Sequence, residues 1–312
     1  MGNGSPMLGL RRRPAILETT VQSFPASSPI RQAMPVAAPV VETGDGHLLF
    51  VRDWGKGPAV LLLAGAGMDS RLWAETMVGL NDAGMRTVAY DRRGHGFSSD
   101  SGEVDYDLLA NDLATVIATL DLRDVTLVAH SGASGEAIRY LSRHGDERIR
   151  HLVLVGATGP CMLAAQDNPC GVPREAAEAL LGELAQDLAG WIDSNAGPFA
   201  PGVSDRLIQW LGQMIMDVSR RTFVDFQRAI LETDFRDEAA ALRIPVTLIH
   251  GDMDASAPIE LTAHAYARIV PDAELIVYEG APHGLMYTER ARFIGELAAI
   301  VEAAGQRRTS IG

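Results

Sequence analysis

Cysteine is nearly missing from this chain, with Cys161 and Cys170 the only two in 312 residues. Two thiols cannot build a disulfide framework or a four-thiolate zinc site, and nothing in the composition points to an oxidising compartment. A cytoplasmic protein with unpaired thiols is expected; a bridge between the two is the lesser alternative. Long apolar runs are missing too. The longest, Ala59 to Met68, is interrupted by Gly65 and Gly67 and reaches half of the roughly 20 residues that a membrane span needs. Positive charge is in deficit, with 27 Lys and Arg against 40 Asp and Glu, a net of −13. Such an acidic surface repels phosphate backbones and argues against a nucleic-acid partner. None of the eight histidines falls in a His-Glu-x-x-His spacing, so neither a metal nor another cofactor is expected.

What is present is apolar: 47% hydrophobic against 21% charged residues. That balance excludes wholesale disorder and suffices for a large core in one or two domains. Residues 1–40 stand apart, with Arg11-Arg12-Arg13, scattered serines and Pro6, Pro14, Pro25, Pro29 and Pro35. No continuous apolar segment follows the arginines, so the segment reads as a flexible arm and not a twin-arginine export signal. Residues 307–312 read as a short polar tail.

From Val40 the chain alternates. Strands are expected at Leu48–Trp54, Ala59–Ala64, Met85–Tyr90, Val125–His130 and Ile149–Val155. Helices are expected at Ser70–Ala83, closed by Gly84, at Tyr106–Leu120 and at Ser134–His144. From Thr158 to Leu242 no strand pattern survives, and helix formers with bulky apolar side chains take over. The rhythm then resumes with strands at Pro245–His250 and Leu275–Glu279 and helices at Ile259–Val270 and Leu285–Ala304. Strand-helix alternation argues for an α/β fold, a mostly parallel sheet with helices on both faces. The core is expected at 41–157 and 241–306, interrupted by a helical lid at 158–240.

Three strand-end loops carry the chemistry. In Val128-Ala129-His130-Ser131-Gly132-Ala133 a serine stands between a buried strand and a helix among small residues, the setting of a nucleophile elbow. The plainer alternative is that Ser131 caps the helix. Ser134 is the rival serine, but it lies inside the helix without a strand before it. A serine hydroxyl needs a base and a group to orient that base. Gly251-Asp252-Met253-Asp254 and Gly280-Ala281-Pro282-His283-Gly284 follow the next two strands and supply an acid and a histidine in the required order. Asp254 is preferred as the acid, with Asp252 holding its loop. His95 reads as a structural turn residue, His130 as the neighbour of the nucleophile and His250 as a strand end. An oxyanion needs backbone donors; Gly132 offers one, and Ala66 in Ala64-Gly65-Ala66-Gly67-Met68 is the expected second. Met68, Met162, Trp191, Phe199, Trp210 and Met214 are expected to line an apolar pocket.

These features resemble the α/β-hydrolase fold, and within it the cofactor-free haloperoxidase, perhydrolase and esterase group. Its marks here are Tyr90-Asp91-Arg92-Arg93-Gly94, Gly135-Glu136 followed by Arg139-Tyr140, Asn168-Pro169, Thr233-Asp234-Phe235, and the two loops bearing Asp254 and His283. The resemblance spans about Val41 to Ala304. It implies Ser131 as nucleophile, His283 as base and Asp254 as its orienting acid. Relatives carry a histidine, glycine, aromatic and proline where this chain has Ala64-Gly65-Ala66-Gly67. That loop is linked in the group to use of hydrogen peroxide, so its loss counts against perhydrolysis and halogenation. Relatives also carry methionine where Gly132 stands, so Ala66 and Gly132 are expected to open space beside the acyl group and favour a bulkier substrate. Dehalogenases and epoxide hydrolases of this fold have aspartate in place of Ser131. The expected function is serine hydrolysis of a carboxylic ester or lactone. Peroxide-dependent acyl chemistry and a triad-bearing ligand receptor are the alternatives. No membrane partner is expected, and a homo-oligomer is left open.

Overall fold

A computed structural model of the chain describes residues 1–2 and 39–306; the expected tail, and the expected arm apart from residues 1–2 and 39–40, lie outside the described residues. Residues 39–306 fall in the larger of two units of the chain. Its strands are β1 (Val40–Glu42), β2 (Leu48–Trp54), β3 (Ala59–Leu63), β4 (Arg86–Tyr90), β5 (Val125–His130), β6 (Ile149–Val155), β7 (Val246–Gly251) and β8 (Glu274–Tyr278). They form one eight-stranded sheet in the order β1-β2-β4-β3-β5-β6-β7-β8. The β1–β2 and β2–β4 pairs are antiparallel and every later pair is parallel.

The central strands are mostly apolar because both of their faces are covered; β3 is apolar throughout, while β5 and β7 each carry a buried threonine and end on a buried histidine or next to one. Alternate residues go to opposite sides, as the period of a strand requires. Leu61, Leu63, Leu127, Leu152 and Leu154 join one core, while Val60, Leu62, Val128, Val153 and Val155 join the other. Helices α1 (Ala74–Asp82), α2 (Tyr106–Thr119) and α3 (Ala133–His144) fill the crossovers. The α2 and α3 side chains Leu109, Leu113, Ile138 and Leu141 cover the first face. The other face takes Met77 and Leu80 of α1 with Phe293, Leu297 and Val301 from the C-terminal helix.

Between β6 and β7 the chain leaves the sheet for five helices: α4 (Arg174–Gln186), α5 (Leu188–Phe199), α6 (Asp205–Asp217), α7 (Arg220–Glu232) and α8 (Arg236–Ala240). Side-chain caps start three of them. Asp187, Ser204 and Ser219 accept from the amides of Gly190, Leu207 and Thr222, satisfying donors that a helix start leaves unpaired. After β7 come α9 (Ala263–Ile269), α10 (Leu285–Thr288) and α11 (Arg290–Gln306).

The structure departs from the sequence expectations in four places. Strand β1 carries no sequence signal; it is three residues long and pairs only with β2. The first helix opens as a 3₁₀ turn at Ser70–Trp73, because Asp69 accepts from the Arg71 amide. The helix expected from Ile259 begins only at Ala263, since the Thr262 hydroxyl donates to the Pro258 carbonyl at 2.9 Å and holds a turn there. The last helix is broken at Glu289 into α10 and α11. Among the described residues, no helix is long and apolar enough to cross a membrane.

Candidate active site

In a parallel sheet the carboxyl ends of the strands share one edge, where ligands bind in such folds. Here that edge receives the loops after β3, β4, β5, β6, β7 and β8. Ser131 follows β5 directly and turns the chain into α3 with φ = 55°, a left-handed conformation that disfavours side-chain-bearing residues. Backbone bonds hold it there: the Ser131 amide donates to Val155 at 3.0 Å, and Ser131's carbonyl accepts from the Ser134 amide at 3.0 Å. Gly132, not Ser131, occupies the N-cap of α3, and no side chain caps that helix. The capping alternative for Ser131 therefore falls away. Ser134 is buried, its hydroxyl lies 3.2 Å from the Thr158 hydroxyl, and it lines no part of the cavity onto which Ser131 opens.

His283 Nδ1 lies 2.6 Å from Asp254 Oδ2. The other oxygen of Asp254 accepts from the amides of Ser256 at 2.9 Å and Ala257 at 2.7 Å. Burial on its own would raise the Asp254 carboxyl. The neighbouring His283, together with hydrogen bonds from His250 and His283, outweighs burial and holds it well below the usual carboxylate range. An ionised Asp254 favours a proton on Nδ1 of His283, leaving Nε2 as the nitrogen able to accept a proton. Asp252 is exposed and accepts from the Gly280 amide at 2.6 Å, tying the β7 loop to the β8 loop.

Gly156, directly after β6, has φ = 49°. A Cβ added to it would stand 3.2 Å from His283 Nδ1 and 3.4 Å from Asp254 Oδ2. The histidine-acid pair thus rests on bare backbone. His130 packs its ring 4.7 Å from that of His283, and its Nε2 is 3.3 Å from the His283 carbonyl oxygen. Burial first, and then the charge of His283, push the His130 imidazole down to about 3, so it stays neutral.

The loop after β3 makes a tight turn in which the Met68 amide donates to the Gly65 carbonyl at 3.1 Å and Gly67 takes φ = 73°. Positive φ at the third position of a turn calls for glycine. Gly65 serves a different need, close approach: a Cβ there would lie 2.8 Å from His130 Nδ1 and 3.1 Å from Ser131 Cβ. The turn is pinned from behind. Arg92, buried and ion-paired to Glu136 at 2.7 Å, donates to the Ala64 carbonyl at 2.8 Å. The Gly67 amide donates to His95 Nε2 at 3.3 Å, while His95 Nδ1 faces the Arg93 carbonyl at 3.0 Å. Burial and the Arg92 charge push His95 down to about 3, which keeps Nε2 free to accept. The backbone amides of Ala66 and Gly132 have no protein acceptor among the described residues.

Ser131 and His283 open onto a cavity of about 340 Å³ roofed by the inserted helices. Of the expected pocket residues, Met68, Met162, Trp191 and Phe199 line it. Trp210 and Met214 do not, which corrects the sequence expectation. Met214 is fully buried among the inserted helices and Trp210 packs half-buried against the same core. The expected opening beside Gly132 also needs correcting. Ile230 of α7 fills it, with Cδ1 only 2.5 Å from where a Gly132 Cβ would sit. The Phe199 ring stands edge-on to His283 at 5.6 Å, and the Phe199 carbonyl accepts from the Gly284 amide at 2.7 Å. That bond ties the end of α5 to the histidine loop. Cys161 and Cys170 are both free thiols. Among the described residues, no three His, Cys, Asp or Glu side chains gather where they could hold a metal ion.

His95 is the structural turn residue the sequence suggests, and Arg92 belongs to the Tyr90-Asp91-Arg92-Arg93-Gly94 motif without a role of its own there. Gly156, Ile230 and Gln227 are passed over, the last two on the cavity wall. The signal for Gly156 is its place at the end of a sheet strand. No comparable signal marks Ile230 and Gln227 within the inserted helices.

Known proteins agree with this architecture. The family model described as the alpha/beta hydrolase fold matches residues 58–289, and the chain belongs to that family of enzymes. Its relatives include a non-heme chloroperoxidase of Kitasatospora aureofaciens, 39% identical over 79% of this chain and 92% of that protein. A bifunctional esterase/perhydrolase of Acinetobacter calcoaceticus is 32% identical over 84% of this chain and 99% of its own length. Among solved structures, an esterase from Exiguobacterium antarcticum superposes with a TM-score of 0.81 at 28% identity, covering 84% of this chain and 98% of that one.

Proposed function

We propose that this protein is a serine hydrolase that cleaves a carboxylic ester or lactone through an acyl-enzyme. The observation that carries the reading is the His283–Asp254 contact of 2.6 Å on the rim of the cavity that also exposes Ser131. In this mechanism His283 Nε2 takes the Ser131 proton as Oγ attacks the carbonyl carbon. The tetrahedral oxyanion accepts from the amides of Gly132 and Ala66, the latter in the turn that Arg92 and His95 hold. His283 then protonates the leaving alcohol, and water resolves the acyl-enzyme by the same steps with the roles of acid and base exchanged. Asp254 keeps the imidazole in the useful tautomer and offsets the charge it acquires. Donors fixed before the charge develops are worth about 3–4 kcal/mol of barrier each.

The test is fluorophosphonate labelling with peptide mapping, run beside turnover of simple esters. Modification is expected on Ser131 alone, and Ser131→Ala is expected to lose both labelling and turnover while keeping its fold. Label on another serine, or ester hydrolysis surviving in Ser131→Ala, overturns the reading. Peracid formation from acetate and peroxide by the same preparation would instead favour the perhydrolase alternative.

A further inference from the structure

The inserted helix α7 turns three residues of one face toward the cavity: Gln227, Ile230 and Leu231, spaced as neighbours on a helix surface. Ile230 abuts the residue next to Ser131, filling the space that a Gly132 side chain would need. Gln227 stands one turn earlier, with a Cβ about 5–6 Å from that of Ile230. Its side-chain amide has no hydrogen-bond partner among the described residues. Of the other polar side chains on the wall, the Thr158 hydroxyl lies 3.2 Å from that of Ser134 and the Asn195 amide nitrogen donates to Trp191 at 2.8 Å, whereas His130 Nδ1 is buried without a partner and the Ser256 hydroxyl has none among the described residues.

An amide carries two donors and an acceptor, and pockets of this kind use a few placed polar groups to orient an otherwise apolar ligand. Gln227 is only half-buried, so solvent water reaches its amide when the cavity is free. A hydrocarbon substrate would strip that water without replacing its hydrogen bonds, whereas an oxygen function at the same place would restore them. We infer that Gln227 hydrogen-bonds a second oxygen function on the substrate chain, beyond the scissile carbonyl, while Ile230 and Leu231 hold the carbons between. The substrate class is thus an oxo-substituted ester and not a plain alkyl one. This inference rests on the ester-hydrolase reading above and names the chemistry of its substrate.

The test compares kcat/KM for ethyl levulinate against ethyl pentanoate, and for ethyl acetoacetate against ethyl butanoate, by proton release at constant pH. A ratio within one preparation cancels any loss of active enzyme, so a partly unfolded variant still reports. The wild type is expected to favour levulinate over pentanoate by about fivefold to tenfold, the range of one neutral hydrogen bond, with a smaller preference in the shorter pair. Gln227→Leu is expected to bring the levulinate ratio to one or below. Gln227→Glu, which loses both donors, is expected to do the same. An unchanged ratio in Gln227→Leu, or a wild-type preference for the alkyl ester, overturns the inference while leaving the hydrolase reading standing. No turnover of any of the four esters, together with no fluorophosphonate label on Ser131, overturns both.

Discussion

Ser131 is a side-chain-bearing residue held at φ = 55° by its neighbours' hydrogen bonds. For an L-residue the left-handed region costs about 1–2 kcal/mol. Glycine escapes that strain, though it returns about 0.4–1 kcal/mol to the freedom of the unfolded chain. Ser131→Gly is therefore expected to be the more stable of two inactive variants, exceeding Ser131→Ala by up to about 1 kcal/mol. Thermal or urea unfolding of the pair checks this. If Ser131→Ala is the more stable, the strain at the elbow is relieved in some other way. Neutral His130 is a second residue whose position matters more than its proton. It touches the ring and backbone of His283 without carrying a charge that would oppose imidazolium formation.

At the scale of elements, α7 and the start of α3 share one space. The Ile230 side chain occupies the volume that any side chain at 132 would need, and overpacking of this kind costs about 1–3 kcal/mol. Gly132→Ala is expected to destabilise by about that amount, and Ile230→Val, which removes the Cδ1 methyl, to recover most of it in the double variant. A double-mutant cycle by thermal unfolding reads the coupling, expected near about 1 kcal/mol or above for side chains in contact. Additive effects would mean that the two elements do not compete. The same pair of elements shows where sequence reading stops. Strands β3, β5, β6 and β7 are legible because burial on both faces leaves them predominantly apolar, and their loops are legible because strand ends share one edge. The insertion is legible as helical, but not in its orientation. Its apolar residues face the cavity, the sheet or one another, and hydrophobicity is the same in all three. Trp210 and Met214 are placed in the cavity by that pattern alone, and Ile230 escapes it for the same reason. Arg92 and His95 are visible as part of a strand-end loop, but their grip on the Ala64–Met68 turn depends on a packing of β4 against β3 that no local pattern encodes.

Among the described residues, several ionisable groups lie inside the fold, His95, His130, Glu136 and Asp254 among them, and acid should find them there. His95 and His130 are fully buried and pushed down to about 3, burial being the main cause in each, against about 6.5 for an exposed imidazole. Between those values the unfolded chain binds two protons that the folded chain refuses. Stability must then fall as pH drops below about 6.5, by about 1.4 kcal/mol per pH unit for each histidine once the unfolded imidazole is protonated. Asp254 adds to the loss further down. Its depressed carboxyl stabilises the fold above the ordinary carboxylate range, and that contribution disappears as pH falls through it. Glu136 works the other way, because burial raises its carboxyl and the folded state takes up that proton first. Variants separate the histidine part from the carboxylates. In urea unfolding between about pH 7 and 5, His95→Gln and His130→Gln are each expected to reduce the slope of stability against pH by about 1 kcal/mol per unit, whatever they cost at neutral pH. Equal slopes for wild type and both variants would mean that these imidazoles gain protons in the folded protein as readily as in water, and that the turn bearing Ala66 is not held by a neutral His95.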